Sequence, residues 1–480
     1  MLPYRPEERK TMAGPHVVIV GGGLSGLSTA YFLSRKFSER SLPFRITVLE
    51  ATDRFGGVLR TLSYEEFRIE AGADAFYAGR GETLDLCRAL GLEPELVRAP
   101  SCFRRFYLLK DKKYYSLPGF SGSFSEVIIS LKSPALGWGA KCRMLAEPFI
   151  PRRQGSGDES LGGFICRRLG RGFFQEIVEP LIRGVYMANP ERLSLAAMFP
   201  RLREAERVYG SLAGSFIRKD LQKKRKAIGE FFTLKNGLES LVRALELHLK
   251  GCNLRASTAV RQCSYNQGWE LCLGGGEKIG ADVLCLAMNA CDSAKLLLGA
   301  APDLSRELGA ILYDSIATVN LIYRPEDLAA QDLDFGFLIP AYRGGVPFSS
   351  LKWLGKIPGG NGILLRGFIS KTMMPEIFNK SDVALKWEIP DYLRELMGIQ
   401  AVPRLSGVER YSSALPQYET GHLERVTRVE EMTRRYPGLY LAGNGFHGLG
   451  ITDCIRSAQA VADSIAGLVQ TPSHPECVRG

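Results

Sequence analysis

An α/β fold is predicted for this chain from three observations. A run of β-forming residues near the start ends in a glycine-rich turn, a second strand, glycine turn and helix lies near the end, and strand-rich blocks between them flank a basic helical stretch. The first turn follows Val17–Val20 and reads Gly21, Gly22, Gly23, Leu24, Ser25, Gly26, which is G-x-G-x-x-G opening a helix that runs from about Ser25 to Phe37. In that spacing the first glycine permits the tight turn, the second lets backbone approach a pyrophosphate, and the third lets helix pack close on strand. The helix N-terminus then faces the phosphate charge.

The next strand, "RITVLE", ends in Glu50, 24 residues beyond Gly26, where a carboxylate can take a hydrogen bond from a ribose hydroxyl. Together these make a Rossmann-like dinucleotide unit. Just after it, "ATDRFGG" supplies Arg54, Gly57 and then Val58, a loop able to wrap the pyrophosphate from its other side. Two clamps on one pyrophosphate favour FAD, a cofactor that stays bound, over an exchangeable nicotinamide.

FAD is longer than one such unit can hold, and the second turn is suited to its ring. "LYLAGNGFHGLGITDCIRSAQ", Leu439 to Gln459, supplies a strand, then Asn444, Leu449, Gly450 and Ile451 at the mouth of a helix. A positive helix end there stabilises the negative charge of a reduced flavin. Between the two turns, "NLRASTAVRQ" and "GEKIGADVLCLAMNA" read as strands returning to the same sheet, with Val260 as a backbone partner for the adenine. The expected organisation is an FAD domain from 13–85, 225–300 and 405–470, a mixed-sheet substrate domain from 86–115 and 301–404, and a helical insertion at 116–224; 1–12 and 471–480 are expected as loose termini.

The chain resembles the FAD-dependent protoporphyrinogen oxidases, within the wider group of amine oxidases and phytoene desaturases. "GGGLSGL", "EATDRFGG" and "FRIEAGADAF" are shared by the wider group. The stretch from Glu159 to Leu212, with "EP…GVY…P..LS…FP.L…E…GS", and also "FFTLKNGLESLVRAL", "LPQYETGHLERV" and "GLGITDCIRSA", are similar to the narrower family. Departures fall at Met187, Asn189 and Pro347. They bear on substrate contacts and not on the reaction class.

The resemblance implies oxidation of protoporphyrinogen IX to protoporphyrin IX, with hydride passing to FAD and dioxygen reoxidising it to give hydrogen peroxide. Coproporphyrinogen III, with four propionates, is the rival substrate. A flavin-binding scaffold without catalysis is the rival of another class, and the 159–212 skeleton disfavours an amine oxidase or carotenoid desaturase. It also implies that Gly72, Ala73, Asp74 and Ala75 lie against the cofactor, that Arg105 anchors a propionate, and that Leu338 and Phe368 pack on the tetrapyrrole. Positioning over the flavin carries such chemistry, so no catalytic triad and no metal is expected.

Composition bounds the remaining partners. The formal charge is +11, and residues 120–230 hold 19 Lys and Arg against 11 Asp and Glu, so the helical insertion carries most of the excess. Bases mixed with aromatics in "RRLGRGFF" and "FIRKDLQKKRK" fit an anionic membrane surface, a solvated helical face or, least well, nucleic acid. The resemblance favours the membrane; nucleic acid is not expected. Eleven cysteines without a C-x-x-C pair argue against zinc and against a disulfide framework. The apolar runs are strand-length and the start lacks a signal-type apolar core. The expectation is a cytoplasmic protein held peripherally at the inner face of the cell membrane, with a homodimer and hand-over to a ferrochelatase compatible with the resemblance.

Overall fold

The computed structural model describes residues 14–79, 81–99, 106–110, 113–117, 131–155, 157–215, 231–328, 337–340, 347–356 and 361–468. Its centre is a five-stranded parallel sheet in the order Asn253–Arg255, Arg45–Leu49, His16–Val20, Val283–Leu286, Leu439–Leu441. Strands from the start, middle and end of the chain therefore lie side by side. The sequence dictates this burial: alternate residues of a strand point to opposite faces, and here both faces are apolar. Val17, Ile19, Ile46 and Val48 enter a core with the first helix, Leu24–Glu39, and the last, Ile451–Leu468, whereas Val18, Val20, Leu284 and Leu286 enter a second core on the other face.

Not all of the middle segment returns to that sheet. Asn253–Arg255 and Val283–Leu286 do, but Val260–Tyr265, Trp269–Leu273 and Lys278–Ala281 form a separate three-stranded antiparallel sheet. Its alternating burial, with Trp269, Leu271 and Leu273 inward, shows a one-faced sheet lying on the second core.

A seven-stranded mixed sheet forms the other half, ordered Leu405–Gln417, Leu312–Tyr323, Ile363–Ser370, Ser350–Lys356, Phe337–Pro340, Phe106–Lys110, Lys113–Leu117. Leu405–Gln417, grouped by sequence with the cofactor segments, pairs instead along Leu312–Tyr323. One face of this sheet, with Val319, Leu321, Leu351 and Leu365, packs on the helix Asp382–Met397. The opposite face meets residues 67–74 of the nucleotide-binding half: Ile322 and Leu364 pack on Phe67 and Ile69, and the Thr318 hydroxyl donates to the Ala71 carbonyl at 3.2 Å.

The helical insertion packs around Phe164, Ile165, Phe174, Ile177 and Leu181, in a core that also takes in Phe106, Leu108 and Leu117 of the mixed sheet. Inside it Arg168 is fully buried, paired with Glu147 and 3.3 Å from Glu206. Glu147 also accepts the backbone N–H of Leu212 at 2.9 Å and of Ala213 at 3.1 Å. One ion cluster thus ties four stretches of the lobe. Among the described residues, no helix is long and apolar enough to cross a membrane.

Candidate functional site

The first turn is shaped by what its glycines exclude. A Cβ on Gly26 would stand 1.9 Å from the Gly21 carbonyl oxygen, so the helix approaches the strand end only because that side chain is absent. Gly21 has φ 106°, a conformation L side chains rarely adopt. A Cβ on Gly23, by contrast, would meet nothing within 4 Å. The space ahead of the helix is open there, and no side chain caps the helix N-terminus and no acidic residue stands in its first turn. Such an end leaves backbone N–H groups free for an anion.

Glu50 stands against this turn: one carboxylate oxygen accepts the Gly22 N–H at 2.7 Å, the other the Thr52 N–H at 2.9 Å. Val260 comes near through the preceding turn, where Thr258 N–H donates to the Glu50 carbonyl and Ser257 N–H to that of Thr52, both at 2.7 Å. The second glycine loop lies on the first, since Gly56 N–H donates to the Gly22 carbonyl at 2.8 Å and a Cβ on Gly57 would be 3.3 Å from the Gly23 Cα. Arg54 is held within this loop. Its guanidinium donates to the carbonyls of Phe55 at 3.0 Å, Gly57 and Leu59 at 3.2 Å, stitching its own loop.

From that loop the wall continues through Val58, which is exposed, to Gly72, where a Cβ would be 2.2 Å from the Val58 carbonyl oxygen. Ala73, Asp74 and Ala75 follow, all partly exposed. The Asp74 carboxylate turns toward the seven-stranded sheet, 2.6 Å from Lys352 Nζ and 3.2 Å from Arg366. Both cations are almost fully buried. Burial works to raise the Asp74 pKa, but the adjacent Lys352 and Arg366 outweigh it and hold the carboxyl below its usual range. Arg366 also donates to Asn320 at 2.7 Å and to the Glu70 carbonyl.

The second turn reaches the same place from the other side. Gly443 and Gly448 have φ 134° and 139°, and a Cβ on Gly448 would be 2.3 Å from the Asp453 carboxyl carbon, so glycine alone fits. Asn444, Leu449, Gly450 and Ile451 line this turn into the last helix. The Thr452 hydroxyl bonds the Tyr77 carbonyl and the Thr83 hydroxyl, each at 2.7 Å. The two long helices pack against each other in one core, with Leu24 and Leu27 of the first and Ile455 of the last buried together. Two helix N-termini with glycine-lined approaches therefore converge. An elongated dinucleotide with a phosphate centre and an electron-accepting ring fits that pair of cradles, and FAD has this form.

The substrate-side residues divide. Phe368 is the one partly exposed residue of an otherwise buried strand, in a row with Thr318 and Ser350, on the face toward residues 71–74. The Ser350 hydroxyl reaches the Gly184 carbonyl of the helical lobe at 2.8 Å, so Phe368 lies where three parts of the molecule meet. Leu338 pairs with Leu351 and Tyr107 in the sheet. Arg105 lies outside the described residues. Sequence reasoning passed over Lys352, Arg366, Tyr418 and His422. A charge inside "ILLRGFIS", and the motif "LPQYETGHLERV", were the signals that could have found them.

The family model described as flavin containing amine oxidoreductase matches residues 24–466. A coproporphyrinogen III oxidase from Propionibacterium freudenreichii subsp. freudenreichii is 30% identical over 96% of this chain and 93% of that protein. A protoporphyrinogen oxidase from Homo sapiens is 28% identical over 95% of this chain and 99% of its own length. Among solved structures, an Exiguobacterium sp. 255-15 chain described as a candidate protoporphyrinogen oxidase superposes with a TM-score of 0.83 at 28% identity, covering 95% of this chain and 99% of the other.

Proposed function

This chain belongs to the flavin containing amine oxidoreductase family, and we propose that within it the chain is a porphyrinogen oxidase whose substrate is coproporphyrinogen III. FAD is its cofactor. The observation that carries the choice of substrate is the full-length relationship at 30% identity to a coproporphyrinogen III oxidase, against 28% to a protoporphyrinogen oxidase. This reverses the sequence expectation, which put protoporphyrinogen IX first. Conversion to the porphyrin removes six hydrogens in three rounds. Bound FAD supplies the hydride acceptor and passes the electrons to dioxygen, giving one hydrogen peroxide per round.

The chain's own residues bind and orient. The first turn and its helix end hold the pyrophosphate, Glu50 receives the ribose, and the Gly448–Ile451 turn covers the ring. Phe368 seats the tetrapyrrole, and Arg105 takes a propionate. The test is anaerobic mixing of the yellow enzyme with each porphyrinogen. Bleaching by coproporphyrinogen III, much faster than by protoporphyrinogen IX, is expected. Bleaching by protoporphyrinogen IX alone would reverse the substrate, and bleaching by neither would leave a flavin-binding scaffold.

Peripheral membrane attachment is part of the same reading. Trp138, Leu145 and Phe149 are 81%, 64% and 86% exposed; the first two lie seven residues apart on one side of the helix Trp138–Leu145, and Phe149 ends the short 3-10 turn Glu147–Phe149 that follows it. Lys141 sits over the Trp138 ring at 5.2 Å. Exposed aromatic and aliphatic side chains beside a base, in the most basic part of the chain, suit an anionic lipid surface. The protein should float with anionic liposomes at low salt, and W138S/F149S should stay at the bottom of the gradient. Failure of the native protein to float would remove the membrane from this proposal.

A further inference from the structure

The motif "LPQYETGH" packs behind the second cradle rather than in it. Tyr418 is 2% exposed, and its hydroxyl makes two bonds to the turn: it donates to the Asn444 carbonyl at 2.5 Å and accepts the Gly448 N–H at 2.9 Å. One oxygen thereby closes the arc from 444 to 448. His422, 4% exposed, meets the middle of the same arc, with Nε2 donating to the Phe446 carbonyl at 3.0 Å. The two rings stack at 3.8 Å and 13°. A trans peptide points its carbonyl and N–H in opposite directions, so holding the carbonyls of Asn444 and Phe446 fixes the N–H directions of Gly445 and His447.

The clamp is itself held from the helical lobe. Ser194 N–H donates to the Tyr418 carbonyl at 2.8 Å, and the Asp158 carboxylate accepts the Gly421 N–H at 3.1 Å and the Ser194 hydroxyl at 2.5 Å. Leu193 forms an antiparallel bridge with Glu419. Nothing in this arrangement needs the substrate, and all three bonds made by the two rings end on the backbone of the turn.

We propose that Tyr418 and His422 are positioning residues for the flavin: a two-ring clamp that sets the peptide orientation of the 444–448 turn and so the geometry of the cradle for the cofactor ring. The inference rests on FAD as cofactor and is independent of which porphyrinogen is oxidised. Tyr418→Phe removes the shared oxygen while keeping the ring stack. His422→Phe keeps the stack and removes the bond to Phe446. Ser305→Ala, which deletes a buried hydroxyl bond of 2.7 Å to the Ala294 carbonyl, serves as a control for lost stability away from the site.

FAD dissociation constants are read from flavin fluorescence on titrating each apoprotein, and ring geometry from the visible circular dichroism of the bound flavin. Y418F is expected to weaken FAD about tenfold and to change the visible dichroism, H422F to do both to a lesser degree, and S305A to do neither. FAD affinity within twofold of the native value with superimposable dichroism in Y418F and H422F would overturn the proposal. So would equal effects in S305A. Because these readouts need no substrate, an enzyme inactive on both porphyrinogens could still confirm the clamp.

Discussion

Replacing Asp74 by Asn is expected to lower the folding stability by about 3 kcal/mol, the low end of the cost of stranding buried charge. Asp74 is the carboxylate against which Lys352 and Arg366 are packed, and their side chains are 4% and 1% exposed while its own is 17% exposed. Asn is nearly isosteric, so the change removes charge rather than volume. Two cations would then face one another across a site that water barely enters. Arg366 keeps its bonds to Asn320 and to the Glu70 carbonyl.

The double variant D74N/K352M separates this electrostatic account from a packing one. Taking out both members removes the buried charge together with the carboxylate that faces it, and the double variant should recover about 2 kcal/mol relative to additivity. Urea unfolding of the four proteins measures it. If D74N unfolds within about 0.5 kcal/mol of the native protein, or the two changes simply add, the carboxylate is not what holds the seam between the two halves.

This cluster also shows where sequence reading stops. The parallel sheet was legible because its strands are apolar on both faces, a pattern that Val17–Val20 and Val283–Leu286 carry without help from distant residues. Both glycine turns were legible for the same local reason. Lys352 and Asp74 are 278 positions apart, and a lysine in a strand reads as solvent-facing until its partner is known. Arg54 is a local case: its place beside two glycines points to a phosphate, and three bonds from its guanidinium go to carbonyls of its own loop. The separate sheet of Val260–Tyr265, Trp269–Leu273 and Lys278–Ala281 was missed because strand propensity does not say which sheet a strand joins; pairing does. Tyr418 and His422 stood in a quoted motif, but the chemistry of the motif lies in backbone atoms about 30 residues away, which no side-chain pattern records.

Between pH 4.5 and 6.5 the stability of two variants, each taken relative to the native protein, should change in opposite directions. Burial lowers the His422 pKa from 6.5 to about 4, outweighing the bond to Phe446 that favours the proton. The folded chain therefore keeps His422 neutral while the unfolded chain takes up a proton, so this contribution is present above pH 6.5 and is lost as pH falls through 4. Glu70 behaves oppositely. Burial raises its pKa from 4.5 to about 7 against hydrogen bonds from Leu238 and Thr61 that favour the carboxylate. The folded chain holds this proton where the unfolded chain has released it, so this contribution is complete below pH 4.5 and is lost as pH rises through 7. Each shift corresponds to roughly 3 kcal/mol, and over the shared window the two changes cancel. Relative to the native chain, the stability of H422Q should rise by about 2 to 3 kcal/mol from pH 6.5 down to 4.5, because the loss carried by His422 is gone, and that of E70Q should fall by a similar amount over the same interval. Groups common to all three proteins drop out of the differences. Urea midpoints at pH 4.5, 5.5 and 6.5 decide the matter: parallel profiles for the native chain and both variants would mean that neither buried group is linked to folding.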